Sequence, residues 1–283
     1  MTEKIAIIGA GLMGHGIATQ AALVGKYKVT LCDIDEKCLD KGMNLISDWL
    51  EKSTNKKCIT EIEKKEALDR IDSTTDLAKA VRQADFVIEA VTENKEIKKM
   101  LLKEVGSLAS NDTIVVTNTS SIRITELSEV MTYPENFAGM HFFNPPQLME
   151  LVEVIKGEKT ADNTIQSVLN LAHKIGKGTV IVKKDCPGFI VNRILMAALN
   201  EAVDLYYSGV AEKEDIDRAI KLGLKWPMGP LQLVDQIGVD TVISIDEVLG
   251  KELDSYFLPR AELKEMKKKG HLGRKTGKGF YDW

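Results

Sequence analysis

The run Lys4-Ile5-Ala6-Ile7-Ile8-Gly9-Ala10-Gly11-Leu12-Met13-Gly14 decides the fold. A short apolar stretch meets a G-x-G-x-x-G string, and small residues follow: Ile17-Ala18-Thr19-Gln20-Ala21-Ala22. Three glycines alone are weak evidence. Placed between a strand and a helix, they read as the phosphate-binding turn of a dinucleotide fold. Gly9 allows the tight turn and Gly11 lets backbone approach a pyrophosphate. Gly14 lets helix pack on strand, and Leu12 and Met13 fill the two intervening places. The helix N-terminus adds N–H donors and a positive dipole end.

The next apolar run ends at Asp33, where a carboxylate can accept hydrogen bonds from ribose hydroxyls. It would repel a 2′-phosphate, and the adjoining Ile34 and Asp35 provide no arginine to attract one. NAD rather than NADP is the expected cofactor. The glycines alone would also suit S-adenosylmethionine, against which the later residues argue.

Outward from this turn, strands are expected at 4–9, 28–33, 84–90, 113–118, 137–141, Leu151–Ile155 and 179–182, with helical patterns between them. That alternation predicts an α/β fold, a Rossmann-like, mostly parallel sheet with helices on both faces and ligands at the carboxyl ends of its strands. Past Asp185-Cys186-Pro187-Gly188 the period becomes helical throughout. Ile190, Ile194, Leu195, Ala198, Ala202, Val203 and Tyr206 mark one long helix closed by Gly209, and further helices are expected at 213–222 and 231–249. Two domains follow: 1–184 for the nucleotide and 185–283, all helical. Residues 40–70 read as an inserted helical pair rich in lysine, which by itself describes a solvated, charged face.

A length of 283 residues suits two domains, and 44% hydrophobic residues suffice for two cores. The net charge of −4 gives no reason to expect a nucleic-acid or anionic-membrane partner. No apolar run approaches the ~18 residues of a membrane span. The N-terminus carries no signal-like or transit-like segment, so a cytoplasmic protein is expected. Cys32, Cys38, Cys58 and Cys186 show no C-x-x-C spacing. Neither a metal site nor a disulfide framework is expected.

Two residues at the far end of the first domain carry chemistry. His141 ends the strand-like run Gly139-Met140-His141 and precedes Phe142-Phe143-Asn144-Pro145-Pro146. Glu153 lies inside Leu151-Val152-Glu153-Val154-Ile155, where an unpaired carboxylate would be costly. One turn separates the two, so each is the other's natural partner. A glutamate holding one imidazole nitrogen leaves the second for base catalysis. Thr117-Asn118-Thr119-Ser120-Ser121 closes a strand where ligands bind, and Asn192 stands in the first turn of the long helix. Capping and turn roles explain both equally well.

At these residues the chain resembles the L-3-hydroxyacyl-CoA dehydrogenase family, including 3-hydroxybutyryl-CoA dehydrogenases. The resemblance covers Gly9–Gly14, Asn118-Thr119-Ser120-Ser121, His141-Phe142-Phe143-Asn144-Pro145, Leu151-Val152-Glu153-Val154, Pro187-Gly188-Phe189-Ile190-Val191-Asn192-Arg193, Pro227-Met228-Gly229-Pro230 and Gly273-Arg274-Lys275-Thr276-Gly277-Lys278-Gly279-Phe280-Tyr281. It implies that His141 is the base for the 3-hydroxyl and Glu153 its orienting partner. Ser120 and Asn192 correspond to residues that bind the reacting oxygen and position substrate. Glu93, Lys98, Ser120, Asn144 and Lys275 match cofactor contacts, with Lys98 also towards the CoA side. The 40–70 insert resembles a helical pair that meets CoA, which makes Lys52 and Lys56 candidates for its phosphates. The C-terminal helices resemble a dimerisation domain, so an acyl-CoA substrate and a homodimer are implied.

Gln147-Leu148 replaces the family's usual Pro-Val, and Glu150 stands where lysine is common. Asn144-Pro145-Pro146 also resembles relatives that oxidise gulonate or carnitine. A free hydroxy acid is therefore the alternative substrate class, and a non-catalytic NAD-binding relative the alternative role.

Overall fold

The computed structural model describes residues 3–283, which divide into two compact units, one ending at Cys186 and one spanning Pro187–Trp283. The first runs β1 (Lys4–Ile8), α1 (Gly14–Leu23), β2 (Lys28–Cys32), α2 (Glu36–Asn55), α3 (Glu61–Leu68), β3 (Ile71–Thr74), α4 (Leu77–Arg82), β4 (Phe86–Glu89), α5 (Lys95–Leu108), β5 (Ile114–Thr117), α6 (Ile124–Ser128), β6 (Phe137–Phe142), β7 (Leu151–Ile155), α7 (Asp162–Lys174) and β8 (Gly178–Val182). The strands form one sheet of order β3-β2-β1-β4-β5-β6-β7-β8. Every pairing is parallel except β6 with β7. Strand order reverses between β1 and β4, and a crevice opens at such a switch point.

The expected α/β architecture is present, with β3 as an addition. Ile71-Asp72-Ser73-Thr74 lies at the sheet edge and buries only Ile71, so it has neither an apolar run nor alternation to announce it. The insert is the helical pair α2–α3. The start of each helix is set by a side chain: Asp35 accepts the Cys38 N–H at 2.7 Å before α2, and Thr60 and Glu63 form a capping box before α3. Leu39, Ile46 and Leu50 of α2 are buried while its lysines face outward. Central strands read as continuous apolar runs because helices cover both faces.

The second unit comprises α8 (Val191–Tyr207), α9 (Lys213–Leu224), α10 (Pro230–Ile237), α11 (Val239–Glu252) and α12 (Ala261–Lys268) around Leu199, Val203, Leu231, Val234, Val242 and Leu249. The single helix expected at 231–249 is two. Gly238 adopts φ +102°, which breaks the backbone ladder while the apolar period continues on either side. Buried carboxylates sew the chain end onto this bundle. Asp235 accepts the N–H groups of Phe280 and Tyr281 and the Trp283 indole at 2.8–2.9 Å. Asp217 accepts Leu231 N–H and the Tyr281 hydroxyl, each at 2.8 Å.

All four cysteines are free thiols. Among the described residues no helix is long and apolar enough to cross a membrane, and no group of three His, Cys, Asp or Glu could hold a metal ion.

One buried acid in the second unit has a consequence for stability. Asp246 accepts an amide hydrogen of Asn200 at 3.0 Å, yet the other Asp246 oxygen and the Asn200 carbonyl have no partner among the described residues. Burial pushes the carboxyl up to about 7, against opposing pulls from Asn200 and Arg260. The folded chain therefore keeps a proton that an unfolded aspartate releases near pH ~4. The stability this confers is full below that pH and is lost as pH rises through about 7. Wild type should lose about 5 °C or more of Tm between pH 5.5 and 8.5 relative to Asp246→Asn, in parallel melts. Parallel curves for the two proteins would refute the assignment.

Candidate active site

The nucleotide end is built by close backbone approach. A Cβ on Gly14 would lie 1.7 Å from the Gly9 carbonyl oxygen, so only glycine lets α1 start against the turn. Gly9, at φ +106°, leaves no more room: its Cβ would stand 2.6 Å from the Ala90 carbonyl oxygen. Gly11 differs, because a Cβ there would meet nothing within 4 Å. Its backbone borders open space at the α1 N-terminus, where a pyrophosphate fits. The cleft beside it measures about 580 Å³ and is lined by Gly9, Gly11, Asp33, Leu77, Ile97 and Leu101 among others. Asp33 Oδ2 accepts Ala10 N–H at 2.6 Å and Oδ1 accepts Ile34 N–H at 2.7 Å. The acid thus shapes the glycine turn and also presents a negative edge to the cleft. Leu12 is exposed and Met13 half-buried. These residues fit a dinucleotide without a 2′-phosphate.

Next along the sheet, β4 and β5 end in a buried charge cluster. Glu89 and Lys98 are 0% and 1% exposed and form an ion pair of 2.6 Å. Glu89 also accepts Val91 N–H at 2.7 Å and the Thr117 hydroxyl at 2.5 Å. Glu93 Oε1 faces five donors within 3.2 Å: the Thr119, Ser120 and Ser121 hydroxyls and the Ser120 and Ser121 N–H groups. Burial pushes its carboxyl up, but Lys98 and those donors outweigh it and hold Glu93 below the usual range. Ser120 is thereby brought together with Glu93 and stands half-exposed at the carboxyl end of β5. Lys98 is turned inward. With its ammonium on Glu89 and the Val91 carbonyl, direct contact with a CoA phosphate is closed to it in this conformation. These contacts tie down the turn between β4 and α5 that bears Glu93. Lys52, in the last turn of α2, and Lys56, just past it, are both exposed.

His141 and Glu153 meet across the antiparallel pair β6–β7, in direct register. Imidazole Nδ1 and Glu153 Oε2 are 2.8 Å apart, and the two residues are 5% and 0% exposed. The Phe143 ring stacks obliquely on the imidazole at 4.6 Å between centroids. Asn144 follows, exposed, at the start of the β6–β7 loop. A buried cation braces that loop: Lys177 Nζ donates to the carbonyls of Pro146 at 2.7 Å and Met149 at 2.9 Å. Burial lowers the Lys177 ammonium from the usual lysine range, with Glu150 opposing.

In the second unit, Asn192 is half-buried in the first turn of α8. Lys275 lies near the chain end and pairs with Asp240 at 2.7 Å.

The sequence assigns no role to Glu89, Asn118 or Lys177. Glu89 has the signal that picked out Glu153, an acid closing the apolar run Phe86-Val87-Ile88. Asn118 looked like any turn residue. Lys177 stands between Gly176 and Gly178, and nothing local distinguishes it from a solvated loop lysine.

Comparison with known proteins agrees along the whole chain. Residues 4–186 match the model of the 3-hydroxyacyl-CoA dehydrogenase NAD-binding domain, and 188–283 that of the C-terminal domain. The chain is 45% identical over 281 residues to a probable 3-hydroxybutyryl-CoA dehydrogenase of Deinococcus radiodurans, covering 99% of this chain and 100% of that protein. It is 41% identical over 293 residues to the mitochondrial hydroxyacyl-coenzyme A dehydrogenase of Sus scrofa, covering 100% and 92%. It superposes on the crystal structure of (S)-3-hydroxybutyryl-CoA dehydrogenase from Ralstonia eutropha with TM-score 0.95 and 41% identity, covering 100% and 99%. With both of its units matched in order and relatives aligned nearly end to end, the chain belongs to the 3-hydroxyacyl-CoA dehydrogenase family.

Proposed function

We propose that this protein catalyses NAD-dependent interconversion of L-3-hydroxyacyl-CoA and 3-oxoacyl-CoA, with short chains such as 3-hydroxybutyryl-CoA and acetoacetyl-CoA as substrates. The observation that carries the reading is the buried His141–Glu153 pair at the same sheet edge as the glycine turn. Strands β1, β4, β5 and β6 run parallel and adjacent, so His141 ends on the side where Gly9 begins its turn. At ~4.8 Å per strand, β6 lies roughly 10 Å beyond β4, within the span of a dinucleotide bound along that edge.

NAD, when bound, supplies the acceptor for the hydride leaving C3. The protein's task is the proton. Glu153 engages Nδ1 of His141, which assigns proton exchange to Nε2. In oxidation Nε2 takes the 3-hydroxyl proton, and the buried carboxylate compensates the imidazolium. In reduction the imidazolium returns that proton to the carbonyl oxygen. Positioned proton transfer of this kind contributes typically ~10²–10⁴ in rate. Ser120 and Asn192 are assigned to the reacting oxygen, Glu93, Lys98, Ser120, Asn144 and Lys275 to the cofactor side, and Lys52 and Lys56 to CoA phosphates.

The second unit we assign to a homodimer. An apolar groove of about 520 Å³ between its helices includes Leu205, Val210, Ile216, Leu224 and Trp226. Val210 and Leu224 are 68% and 62% exposed there, an apolar surface suited to burial by a second copy.

NADH mixed with acetoacetyl-CoA should be oxidised, followed by absorbance, and His141→Ala should lower kcat by about 10²–10⁴ with NADH affinity unchanged. Turnover of gulonate or carnitine instead would indicate the free-acid branch, and NADH binding with no turnover a non-catalytic relative. Asp33→Asn keeps an acceptor for Ala10 N–H but removes charge, so its preference for NAD over NADP should shrink about tenfold or more in kcat/KM. An unchanged ratio contradicts the role given to Asp33. Sedimentation at micromolar concentration should return twice the 31.3 kDa chain mass, and a monomer would refute the dimer.

A further inference from the structure

Strand β6 outruns its parallel neighbour. The β5–β6 ladder ends at Thr117 opposite Gly139, whereas β6 continues through Met140, His141 and Phe142. Over this overhang β7 guards one flank, with His141 opposite Glu153 and Phe142 opposite Val152. On the other flank no strand remains to receive the Phe142 N–H, and Phe142 is only 2% exposed. The Asn118 side chain fills that place: its Oδ1 accepts the Phe142 N–H at 2.9 Å. The anchor is itself fixed. Asn118 N–H donates to the Glu89 carbonyl at 2.8 Å, and Thr117 and Thr119 on either side bind the Glu89 and Glu93 carboxylates.

We propose that Asn118 is a positioning residue for the reaction, acting as a side-chain extension of β5 that holds the end of β6 and, through it, the His141 imidazole. The inference rests on the dehydrogenase reading above and adds a residue to it. A buried N–H deprived of its acceptor must move towards water or another group. Phe142 is covalently next to His141, so that movement would turn the imidazole relative to Glu153 and to the reacting hydroxyl. The acceptor oxygen is what matters, and this separates the role from hydrogen-bond donation to a ligand by the Asn118 amide.

Asn118→Ala removes the acceptor, and Asn118→Asp keeps it while discarding the amide donor. In Asn118→Ala, kcat for acetoacetyl-CoA reduction should fall about 10–100-fold, as misplacement of a reacting group does. NADH Kd and the KM for acyl-CoA should stay within about threefold. Asn118→Asp should recover kcat to within about fivefold of wild type. Amide hydrogen exchange at Phe142 should accelerate in Asn118→Ala and stay slow in Asn118→Asp. A wild-type kcat in Asn118→Ala overturns the proposal. So does Asn118→Asp as slow in turnover as Asn118→Ala while its Phe142 amide stays protected, since the donor would then be the working group. Should wild type itself fail to reduce acetoacetyl-CoA, the dehydrogenase reading fails, and exchange decides the positioning separately: unchanged protection of Phe142 in Asn118→Ala overturns it, and loss of protection sustains it.

Discussion

Glu153 carries its carboxyl group with no exposed surface, and the 2.8 Å hydrogen bond to His141 offsets the cost of that burial. An isolated ion moved into a protein interior costs several kcal/mol even after relaxation. The imidazole offsets this through its Nδ1 contact, and in return is fixed in orientation. The pairing dictates topology. An acid twelve residues away can face the imidazole in direct register only if the intervening strand reverses, because a parallel return needs a crossover of a dozen residues or more. The antiparallel pairing of β6 with β7 therefore lies where the proton chemistry is assigned. The parallel remainder supplies the switch-point crevice for the cofactor.

The same economy of buried charge recurs along the carboxyl edge. Lys98 lies between Glu89 at 2.6 Å and Glu93 at 3.6 Å, and Glu89 receives two further donors. Among the described residues Lys177 has no carboxylate in hydrogen-bonding range and relies on two carbonyls of the β6–β7 loop. Such groups add little net stability over apolar replacements, since desolvation cancels most of the attraction. What they provide is direction. Carbonyls, N–H groups and hydroxyls that apolar contacts would leave loose are tied to fixed points, and loops that must hold a shape without a ladder hold it through them.

Legibility in the sequence followed the physics of each feature. The glycine turn, Asp33, and the His141–Glu153 pair were readable because each violates an otherwise apolar or bulky pattern and so demands a reason. The mainly parallel sheet was readable because covered strands are near-continuous apolar runs. Edge strand β3 was not, since Ile71 is its one buried residue. The break at Gly238 was hidden because apolar spacing persists across it and only φ departs. Lys98 illustrates a deeper limit. A lysine matched to ligand contacts by motif is here held inside by Glu89, and the chain pattern around position 98 is that of any amphipathic helix.

Motifs also mix purposes that a resemblance cannot separate. The stretch from Gly273 to Tyr281 was read through Lys275, yet the side chains and backbone that follow serve α10. Asp235, 1% exposed, takes donors from Phe280, Tyr281 and Trp283, and a Cβ on Gly279 would lie 2.0 Å from its Oδ1. A residue type can thus be required at such a position because a buried carboxylate has no room beside it, with no ligand involved. Asn118 presents the converse case. It lies within a motif read through Ser120, its contact is to backbone, and its bearing on chemistry comes from which residue follows His141. For both, the useful question is which polar group would be left without a partner if the side chain were removed. The answer for Asp235 is the end of the chain, and for Asn118 it is the strand that holds the base.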